Sequence, residues 1–586
     1  PAEVFFMPKR WRIHPHDPDH IARLQQSAGV PAVVAQLLIC RGIREAESAR
    51  EFLDPKLTDL RDPNLLPGCK AAAEKLHEAI RGGRRITIYG DYDVDGMTGT
   101  AILFRCLKLL GADVDYYLPS RLDEGYGMHD EAVRRLAAQG TQVLVTVDCG
   151  ISSASQARTA RETGIDLIVT DHHAPGGELP EAEAIVHPHL PGSDYPFDGL
   201  SGAAVAFKLA WALCQQAAGA KRVSPWMRDF LVSAVGLAAM GTVADVVPLV
   251  DENRVLVRHG LSSLKEKPGV GLEALMKLAE LDRKPYLDAE DIGYALGPRL
   301  NAAGRLGQAQ LAVELLVTDR PDRAEELARY ISGLNESRQT LERSIYLAAS
   351  KQVKDTFDPS GDAALVLAER GWHPGVIGIV AGRLAEKYHR PTVLIALDPL
   401  GVKPGTGSAR SVPGFDLHAA LCRCGEHLVA HGGHAAAAGL TIEQSQVAAF
   451  RAAFCELAAE EICEELRVAE LRIDAEAPLS AFTLKVVGQI EQLAPFGQSN
   501  ARPLLCTSGV TLAEPPRQIG ASGNHLALKL TQHNVTLRAV AFGGGEWAEE
   551  LAGVSAPLDV AFRPVINSFR GRRSVELHLV DWRANP

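Results

Sequence analysis

The sequence predicts an α/β protein with a doubly wound parallel-sheet domain, a long linker helix, a smaller α/β domain and a small C-terminal β-barrel. Three observations support this prediction. Strand-like and helix-like segments alternate from about residue 76 to 260, as in a parallel sheet covered by helices on both faces. A charge-rich stretch from Arg320 to about Phe357 has helical periodicity and almost no glycine. From about residue 470 onward, short alternating runs are separated by turn residues.

Length and composition indicate several domains. The chain has 586 residues, of which 46% are hydrophobic, and this is enough for three or four buried cores. The expected segments are an N-terminal helical extension (1–75), the parallel-sheet domain (76–260), a helical region with the linker helix (261–358), the smaller α/β domain (359–465) and the barrel (466–586).

Hydropathy, cysteine content and charge indicate where the protein is located and what it can bind. The sequence has no run of about 18 apolar residues and no basic-then-apolar N-terminal pattern, so it predicts a cytoplasmic protein without membrane contact. Ten scattered cysteines are typical of reduced thiols. A net charge of −11 argues only weakly against nucleic-acid binding, because a binding groove needs just a local basic stripe. Basic clusters occur at 81–85, 299–305 and 563–573, although many such runs are solvated faces.

Three acidic residues follow the first strand of the predicted catalytic sheet. The run Ile86–Tyr89 ends at a glycine, and Asp91, Asp93 and Asp95 come next, before a helical pattern begins. The carboxyl ends of strands in an open α/β sheet are where ligands bind. Three carboxylates this close repel one another unless a cation neutralises them, and hard oxygen ligands suit Mg²⁺ or Mn²⁺. The alternative is a solvated acidic turn.

Two further strands end in the same way. Val143–Val147 is followed by Asp148, and Asp166–Thr170 is followed by Asp171, His172 and His173. Parallel strands share one carboxyl edge, so these side chains can converge in a single crevice. Another acid, Asp245, stands among apolar neighbours; alone it would be a cap or a hydrogen-bonded core residue, but beside the other sites it favours ligation.

These motifs, in this order and spacing, resemble the DHH phosphoesterase superfamily, and later segments resemble its exonucleases specific for single-stranded DNA. The resemblance implies a 5′-to-3′ exonuclease that releases 5′-mononucleotides in DNA repair and recombination. It implies two Mn²⁺ or Mg²⁺ ions bridged by Asp148, with Asp93 and Asp95 on separate ions. His172 and Asp245 would complete one ion site. The catalytic residues Asp91 and His173 would orient ligands or pass a proton.

Arginines and glycines in two loops are candidate phosphate contacts. The segment Gly297–Gly307 contains Arg299, Asn301 and Arg305, and arginine binds phosphate bidentately where glycine allows close approach. Arg121 lies in an earlier loop that could also face a phosphate. For Arg121 a structural turn is an equal alternative. Similar segments occur in the exonucleases of the superfamily, so we expect Arg299, Asn301 and Arg305 to contact substrate phosphates; a salt-bridged structural loop is the alternative for these three.

The smaller α/β domain carries three stretches that resemble the DHH-associated domain. Exposed backbone amides in glycine-rich turns, with serine and arginine close by, form an anion pocket. The resemblance places the 5′-terminal phosphate there. In the alternative reading, the glycines only pack a helix against the sheet. The candidate substrate-binding residues are His373, Ser408, Arg410, Gly432, Gly433 and His434.

Five short strands near the C-terminus predict a barrel of the OB type. They are expected at Arg502–Cys506, His525–Leu530, Thr536–Phe542, Leu558–Phe562 and Ser574–Val580. Aromatic and basic side chains on one hairpin, represented by Phe569 and Arg570, suit base stacking and backbone contact in single strands.

Other functions stay open at this point. The same acidic motifs occur in phosphodiesterases for short oligonucleotides, but those chains lack a C-terminal barrel. A non-catalytic single-strand-binding scaffold is the alternative from another class, although every expected ligand position is filled here. Single-stranded DNA is the expected partner, together with a single-strand-binding protein and a helicase as candidate protein partners.

Overall fold

The N-terminal helices pack on the C-terminal barrel. The computed structural model describes residues 9–121, 124–358, 361–462, 468–569 and 571–585. Its first elements are β1 (Arg10–Ile13), α1 (Pro18–Ala28), α2 (Ala32–Cys40) and α3 (Ala46–Leu53). Asp17 caps α1, and Gly29 ends it in the left-handed conformation. Leu24 and Leu37 share one apolar core with the barrel residue Leu526.

A five-stranded parallel sheet follows, with helices on both faces. Its elements are α4 (Cys69–Arg81), β2 (Ile86–Gly90), α5 (Val94–Leu109), β3 (Val114–Tyr117), α6 (Asp130–Ala138), β4 (Val143–Val147), α7 (Ala154–Glu162), β5 (Asp166–Thr170), β6 (Ala184–Val186) and α8 (Gly202–Ala218). The strand order is β3-β2-β4-β5-β6. Val145 faces a core shared with α5 and α8, whereas Leu144 faces α6 and α7. The doubly wound prediction is therefore confirmed, and the order reverses between β2 and β4, where such sheets bind ligands.

Seven helices connect this sheet to the smaller domain. They are α9 (Pro225–Ala244), α10 (Asp251–Glu266), α11 (Val270–Leu278), α12 (Ala289–Asp291), α13 (Gly297–Arg305), α14 (Ala309–Val317) and α15 (Pro321–Thr356). Within the described ranges, α9 alone is long and apolar enough to cross a membrane, and 67% of its most apolar stretch is buried inside the protein. The 36-residue α15 is the expected linker helix: Leu327 packs in the core of the catalytic lobe, and Ile345 packs against the smaller domain.

The smaller domain is a mixed five-stranded sheet. Its elements are β7 (Leu365–Arg370), α16 (Pro374–Tyr388), β8 (Thr392–Leu397), β9 (Gly405–Arg410), α17 (Leu417–Arg423), β10 (Ala430–Gly433), β11 (Ala437–Ile442) and α18 (Val447–Glu461). The strand order is β10-β11-β9-β8-β7, with only β7 and β8 parallel. Helix α16 packs on β8 and β9 and also contacts α15, so it lies between the linker helix and the sheet.

The C-terminal strands close into a barrel. The elements are β12 (Glu470–Ile473), β13 (Ala475–Glu476), α19 (Leu484–Glu491), β14 (Leu505–Leu512), β15 (Arg517–Ile519), β16 (His525–Gln532), β17 (Val535–Ala541), α20 (Trp547–Gly553), β18 (Leu558–Phe569) and β19 (Arg572–Ala584). Strands β14-β18-β19-β17-β16 form a continuous ladder, and β16 also pairs with β14, which closes it. Each of the five expected strands overlaps an observed strand, although β14 begins at Leu505 and not at Arg502. The prediction of an OB-like barrel is confirmed.

A buried arginine joins the catalytic lobe to the barrel and the N-terminal helices. The Arg254 side chain on α10 is 2% exposed. Its guanidinium donates to the carbonyl oxygens of Phe52 and of residues 492–494. No carboxylate in the described part of the chain forms an ion pair with it. The cation is therefore satisfied by main-chain oxygens from two other parts of the chain.

We expect Arg254→Ala to lower the free energy of unfolding by about 3 kcal/mol, because it removes four hydrogen bonds of a buried side chain and leaves the Phe52 and Gln492 carbonyl groups without their guanidinium donor. Thermal unfolding followed by tryptophan fluorescence measures the loss. Arg258→Ala is the matched control, because the Arg258 guanidinium makes one hydrogen bond to the Ala494 carbonyl. Equal losses in the two variants would contradict the role assigned to Arg254.

Candidate metal and nucleic-acid site

The acidic loop after β2 is held by its own backbone. Asp93 is the N-cap of α5, and its Oδ1 accepts the N–H groups of Asp95 at 2.9 Å and Gly96 at 3.1 Å. Gly96 packs so closely that a Cβ there would lie 2.7 Å from Asp91. Asp91 is only 3% exposed. The loop therefore turns its carboxylates into the crevice instead of into solvent.

Asp148 occupies the centre of this crevice. It follows β4 with a φ of 63°, the left-handed region that non-glycine residues rarely adopt. Its Oδ1 lies 3.0 Å from His172 Nε2, and His172 Nε2 lies 3.5 Å from Asp245 Oδ2. Gly202 leaves the space for Asp148, because a Cβ at Gly202 would lie 2.5 Å from Asp148 Oδ1. Backbone strain at the centre of a site is common where the side chain is functional.

The structure brings the predicted ligands into three overlapping groups, each with ligand atoms within 4.8 Å of one another. The groups are Asp91, Asp93 and Asp148; Asp95, His172 and Asp245; and Asp148, His172 and His173. Three buried atoms in them have no hydrogen-bond partner: Asp91 Oδ1, Asp148 Oδ1 and His172 Nε2. Unsatisfied buried oxygens and an imidazole nitrogen fit a divalent cation, which needs such donors.

The electrostatics of the cluster point the same way. Burial raises the pKa of Asp95 to about 7, and the charge of Asp93 adds to the effect. Burial, with Asp95 and Asp93 nearby, raises the pKa of Asp245 to about 9. Burial and neighbouring aspartates also hold the pKa of Asp148 well above its usual value. The carboxylates cannot all ionise together without a cation, so the donor set fits Mg²⁺ or Mn²⁺.

Asp95 has a second set of partners. The backbone N–H groups of Gly202 and Ala203 donate to its two oxygens at 2.6 and 2.9 Å. These groups form the N-terminus of α8, where the helix dipole favours negative charge. Asp95 is therefore anchored to α8 while its oxygens stay within reach of His172 and Asp245.

The two histidines of the triplet have opposite electrostatics. Burial, assisted by His173, lowers the pKa of His172 to about 4, so this ring is neutral at pH 7 and suited to ligation. Although burial opposes its charged form, the hydrogen bond to Asp171 raises the pKa of His173 to about 9. His173 Nδ1 lies 2.7 Å from Asp171 Oδ1. His173 is therefore charged at pH 7.

The sequence reasoning assigned no role to three residues around His173. Asp171 accepts the backbone N–H groups of both histidines. The Tyr126 hydroxyl donates to the Asp148 carbonyl and lies 3.1 Å from His173 Nδ1. His187 is fully buried and accepts the His189 N–H at Nδ1, so its Nε2–H donates to the His173 carbonyl. Asp171 could have been found from the sequence because it belongs to the Asp171-His172-His173 motif. No sequence pattern links Tyr126 or His187 to the site.

Three arginines gather next to the acids. Burial lowers the pKa of Arg305 to about 10, and the charges of Arg121 and Arg410 act in the same direction. Arg121 lies over the Tyr92 ring in the acidic loop. Arg410 on β9 donates to Ser408 Oγ at 3.3 Å. The two lobes therefore place cations and a hydroxyl beside the carboxylates, as a phosphate pocket requires.

Other predicted contacts have structural partners. Asn301 Oδ1 accepts the Val94 N–H at 3.2 Å, at the start of α5. Arg299 donates to the Ala295 carbonyl, and its buried Nε has no partner. His373 caps α16 by accepting the Gly375 N–H at Nδ1. The structure thus gives Asn301 and His373 a positioning contact, and it leaves their substrate contacts as predictions.

The glycine-rich hairpin pairs with the strand that carries Ser408 and Arg410. Gly432 pairs with Gly439, and Gly439 pairs with Ser408 on the neighbouring strand. Gly433 has a φ of 137°, and a Cβ there would lie 2.6 Å from the Ala437 oxygen, so only glycine fits. His434 is exposed beyond the end of β10.

On the barrel hairpin, Phe569 is 67% exposed at the end of β18. Arg570 lies outside the described residues. The contact of this hairpin with single strands therefore stays a prediction.

Family models match three parts of the chain. They are the DHH family N-terminal domain over residues 85–235, the DHHA1 domain over 361–460 and the RecJ OB domain over 473–581. The parallel sheet with acids and histidines at its carboxyl edge, followed by the smaller mixed sheet, is accordingly that of a DHH-type phosphoesterase.

Similarity to known proteins extends over nearly the whole chain. The single-stranded-DNA-specific exonuclease RecJ of Bacillus subtilis is 38% identical over 573 residues, which cover 98% of this chain and 70% of that protein. RecJ of Escherichia coli is 35% identical over 94% of this chain and 95% of that protein. The crystal structure of Thermus thermophilus RecJ with Mn²⁺ matches with a TM-score of 0.82 and 33% identity, over 98% of this chain and 80% of that one. The chain belongs to the RecJ family.

We expect Gly202→Ala to weaken Mn²⁺ binding about 10- to 100-fold, because the added methyl group would displace the Asp148 carboxylate. Electron paramagnetic resonance of free Mn²⁺ during titration measures the change. Gly333→Ala on α15 is the control, because a Cβ there meets no atom within 4 Å. Unchanged Mn²⁺ affinity in a folded Gly202→Ala protein would show that Asp148 does not hold the ion.

Proposed function

We propose that this protein is a metal-dependent exonuclease that degrades single-stranded DNA from its 5′ end and releases 5′-mononucleotides. The RecJ relatives are named as exonucleases specific for single-stranded DNA. Polarity and product follow from the resemblance noted in the sequence. The proposal includes a role in DNA repair and recombination.

The observation that carries this proposal is that two unlike clusters lie close together. Gly304, next to Arg305, packs against the Tyr92 backbone in the acidic loop, and Arg305 donates to the Gly375 carbonyl of the smaller domain. The charges of Arg410 and Asp93 both act on the pKa of Arg305. A terminal phosphate bound by the arginines would place the first phosphodiester linkage near the acids. Cleavage at that point removes one nucleotide from the end of a strand, whereas internal cleavage would need no terminal pocket.

The site residues would have three roles, of which the first is metal binding. Asp93, Asp95, Asp148, His172 and Asp245 would hold two Mn²⁺ or Mg²⁺ ions, with Asp148 shared. When bound, such ions lower the pKa of water and neutralise charge on a phosphate under attack.

Proton handling and substrate orientation fall to the remaining residues. His173, kept charged by Asp171, would donate a proton to the leaving oxygen. Asp91 would orient a ligand or accept a proton. The substrate contacts assigned from the sequence keep their proposed roles: Arg121, Arg299, Asn301, Arg305, His373, Ser408, Arg410, Gly432, Gly433, His434, Phe569 and Arg570.

The preference for single-stranded over duplex DNA would follow from the width of the cleft. Substrate must enter between the catalytic lobe and the smaller domain, and a cleft narrow enough for one strand would exclude duplex DNA. The barrel would hold the strand farther from the cut by stacking and backbone contact. We further propose a cytoplasmic location, with a single-strand-binding protein and a helicase as partners.

End-labelled DNA tests the function. With Mn²⁺, a 5′-labelled single strand should release labelled mononucleotide at once, and a 3′-labelled strand only at the end of the time course. EDTA should stop both reactions, and duplex DNA should stay intact. Asp148→Ala should abolish hydrolysis but retain strand binding, because the arginine pocket and the barrel are untouched.

The controls separate the alternatives. Early release from the 3′ label would overturn the polarity, and rapid cleavage of dinucleotides alone would favour a phosphodiesterase for short oligonucleotides. Binding without hydrolysis under any divalent metal would indicate a scaffold. Full turnover by Asp148→Ala would refute the metal assignment.

We expect Ser408→Ala to reduce the preference for a 5′-phosphate over a 5′-hydroxyl end about tenfold, because it removes one donor from the phosphate pocket. The ratio of kcat/KM values for the two substrates measures this. Thr406→Ala is the matched control, since Thr406 is exposed two residues earlier on the same strand. A preference that survives Ser408→Ala unchanged would remove Ser408 from the pocket.

A further inference from the structure

A second basic cavity lies outside the acid cluster and the phosphate pocket. It has a volume of about 540 Å³ and runs between α15 and α16. Residues Arg338, Glu342, Arg343 and Tyr346 of α15 line one wall, and Arg383 of α16 lines the other. We refer to it as the linker groove. Its volume falls in the range of small-molecule sites, roughly 300–1,000 Å³.

The groove carries an excess of positive charge. Glu342 accepts hydrogen bonds from Arg338 and, at 2.9 Å, from Arg383, so one carboxylate fixes two guanidinium groups. Arg343 is exposed and forms no ion pair with any residue that the structure describes. Three cations thus face one anion. The surplus charge and the free Arg343 side chain favour an anionic ligand.

A planar surface accompanies the charge. The Arg383 guanidinium lies 4.1 Å from the centre of the Tyr346 ring. Next to it, the Leu347 side chain is 61% exposed. Guanidinium planes and aromatic rings stack on nucleobases, whereas inorganic anions gain nothing from such a surface. A ligand with both a base and a phosphate would stack its base on the Tyr346 and Arg383 surface and bind its phosphate to the guanidinium groups.

The linker groove adjoins the arginine pocket. Arg338 is close enough to Arg305 for its charge to act on that guanidinium, as the charge of Arg410 does. Helix α16 separates the two cavities: a Cβ at Gly378 would lie 2.8 Å from Ser408 Oγ, a Cβ at Gly382 would lie 3.8 Å from Arg410 Cγ, and Arg383 is the next residue. Cations therefore continue from the phosphate pocket to the groove.

We propose that the linker groove binds the nucleoside 5′-monophosphate product as it leaves the cleft. This inference rests on the proposed exonuclease function. With the terminal phosphate in the arginine pocket, the rest of the strand extends away from that pocket and blocks the entrance. The released nucleotide must then depart on the phosphate side, where the groove offers cations and a stacking surface.

Calorimetric titration of 2′-deoxyadenosine 5′-monophosphate in EDTA tests the inference without hydrolysis. Wild-type protein should show two binding events. Arg343→Glu should weaken one of them about tenfold or more, since it reverses a charge without breaking an ion pair. Ser408→Ala should weaken the other. Lys351→Glu is the control, because Lys351 is also exposed on α15, has no ion pair in the described part of the chain and does not line the groove.

Two outcomes would overturn the linker groove as a nucleotide site. One is an Arg343→Glu protein that titrates like the wild type, and the other is a single event lost in Ser408→Ala. Circular dichroism verifies that each variant is folded. A parallel end-label assay distinguishes the two proposals. Normal hydrolysis together with a single binding event would refute only the nucleotide site in the linker groove. Absent hydrolysis would contradict the exonuclease function, and the titration would still test nucleotide binding.

Discussion

Repulsion among buried carboxylates is the constraint on which the rest of this structure depends. Two unit charges 4 Å apart repel by roughly 4 kcal/mol at an effective dielectric constant of 20, and several such pairs meet here. Burial and neighbouring acids raise the pKa values of Asp91, Asp95, Asp148 and Asp245. The fold offsets this cost locally through the N-terminus of α8, which receives Asp95. A divalent cation would remove most of the remainder.

Helix α13 links the acid cluster to the smaller domain. Asn301 accepts the Val94 N–H beside the acidic loop. A Cβ at Gly304 would lie 2.0 Å from the Tyr92 oxygen, so the helix and the loop touch through backbone. One residue later, Arg305 donates to the Gly375 carbonyl at the start of α16. A single short helix therefore fixes the separation between the carboxylates and the smaller domain.

Much of the fold could be predicted from the sequence because its signals are local. Apolar runs ending at Asp91, Asp148 and Asp171 marked parallel strands that share one carboxyl edge, and the edge brings those acids together. Contacts between distant segments left no such signal. In the sequence, Arg254 is indistinguishable from other charged helix residues. In the structure, its guanidinium donates hydrogen bonds to carbonyl oxygens about 200 residues before it and 240 residues after it. No local pattern marks His187, yet its ring supports the His173 backbone.

The two halves of the cleft are attached differently. The N-terminal helices and the barrel share one core, and Arg254 binds both to the catalytic lobe through buried hydrogen bonds. The smaller domain instead meets the catalytic lobe through α15 and through the Arg305 contact on α16. Buried polar networks resist displacement more than one helix and one hydrogen bond do. Motion that opens the cleft should therefore move the smaller domain, while the acids and the barrel stay fixed to each other. The linker groove lies between α15 and α16, so its α16 wall belongs to the part that moves.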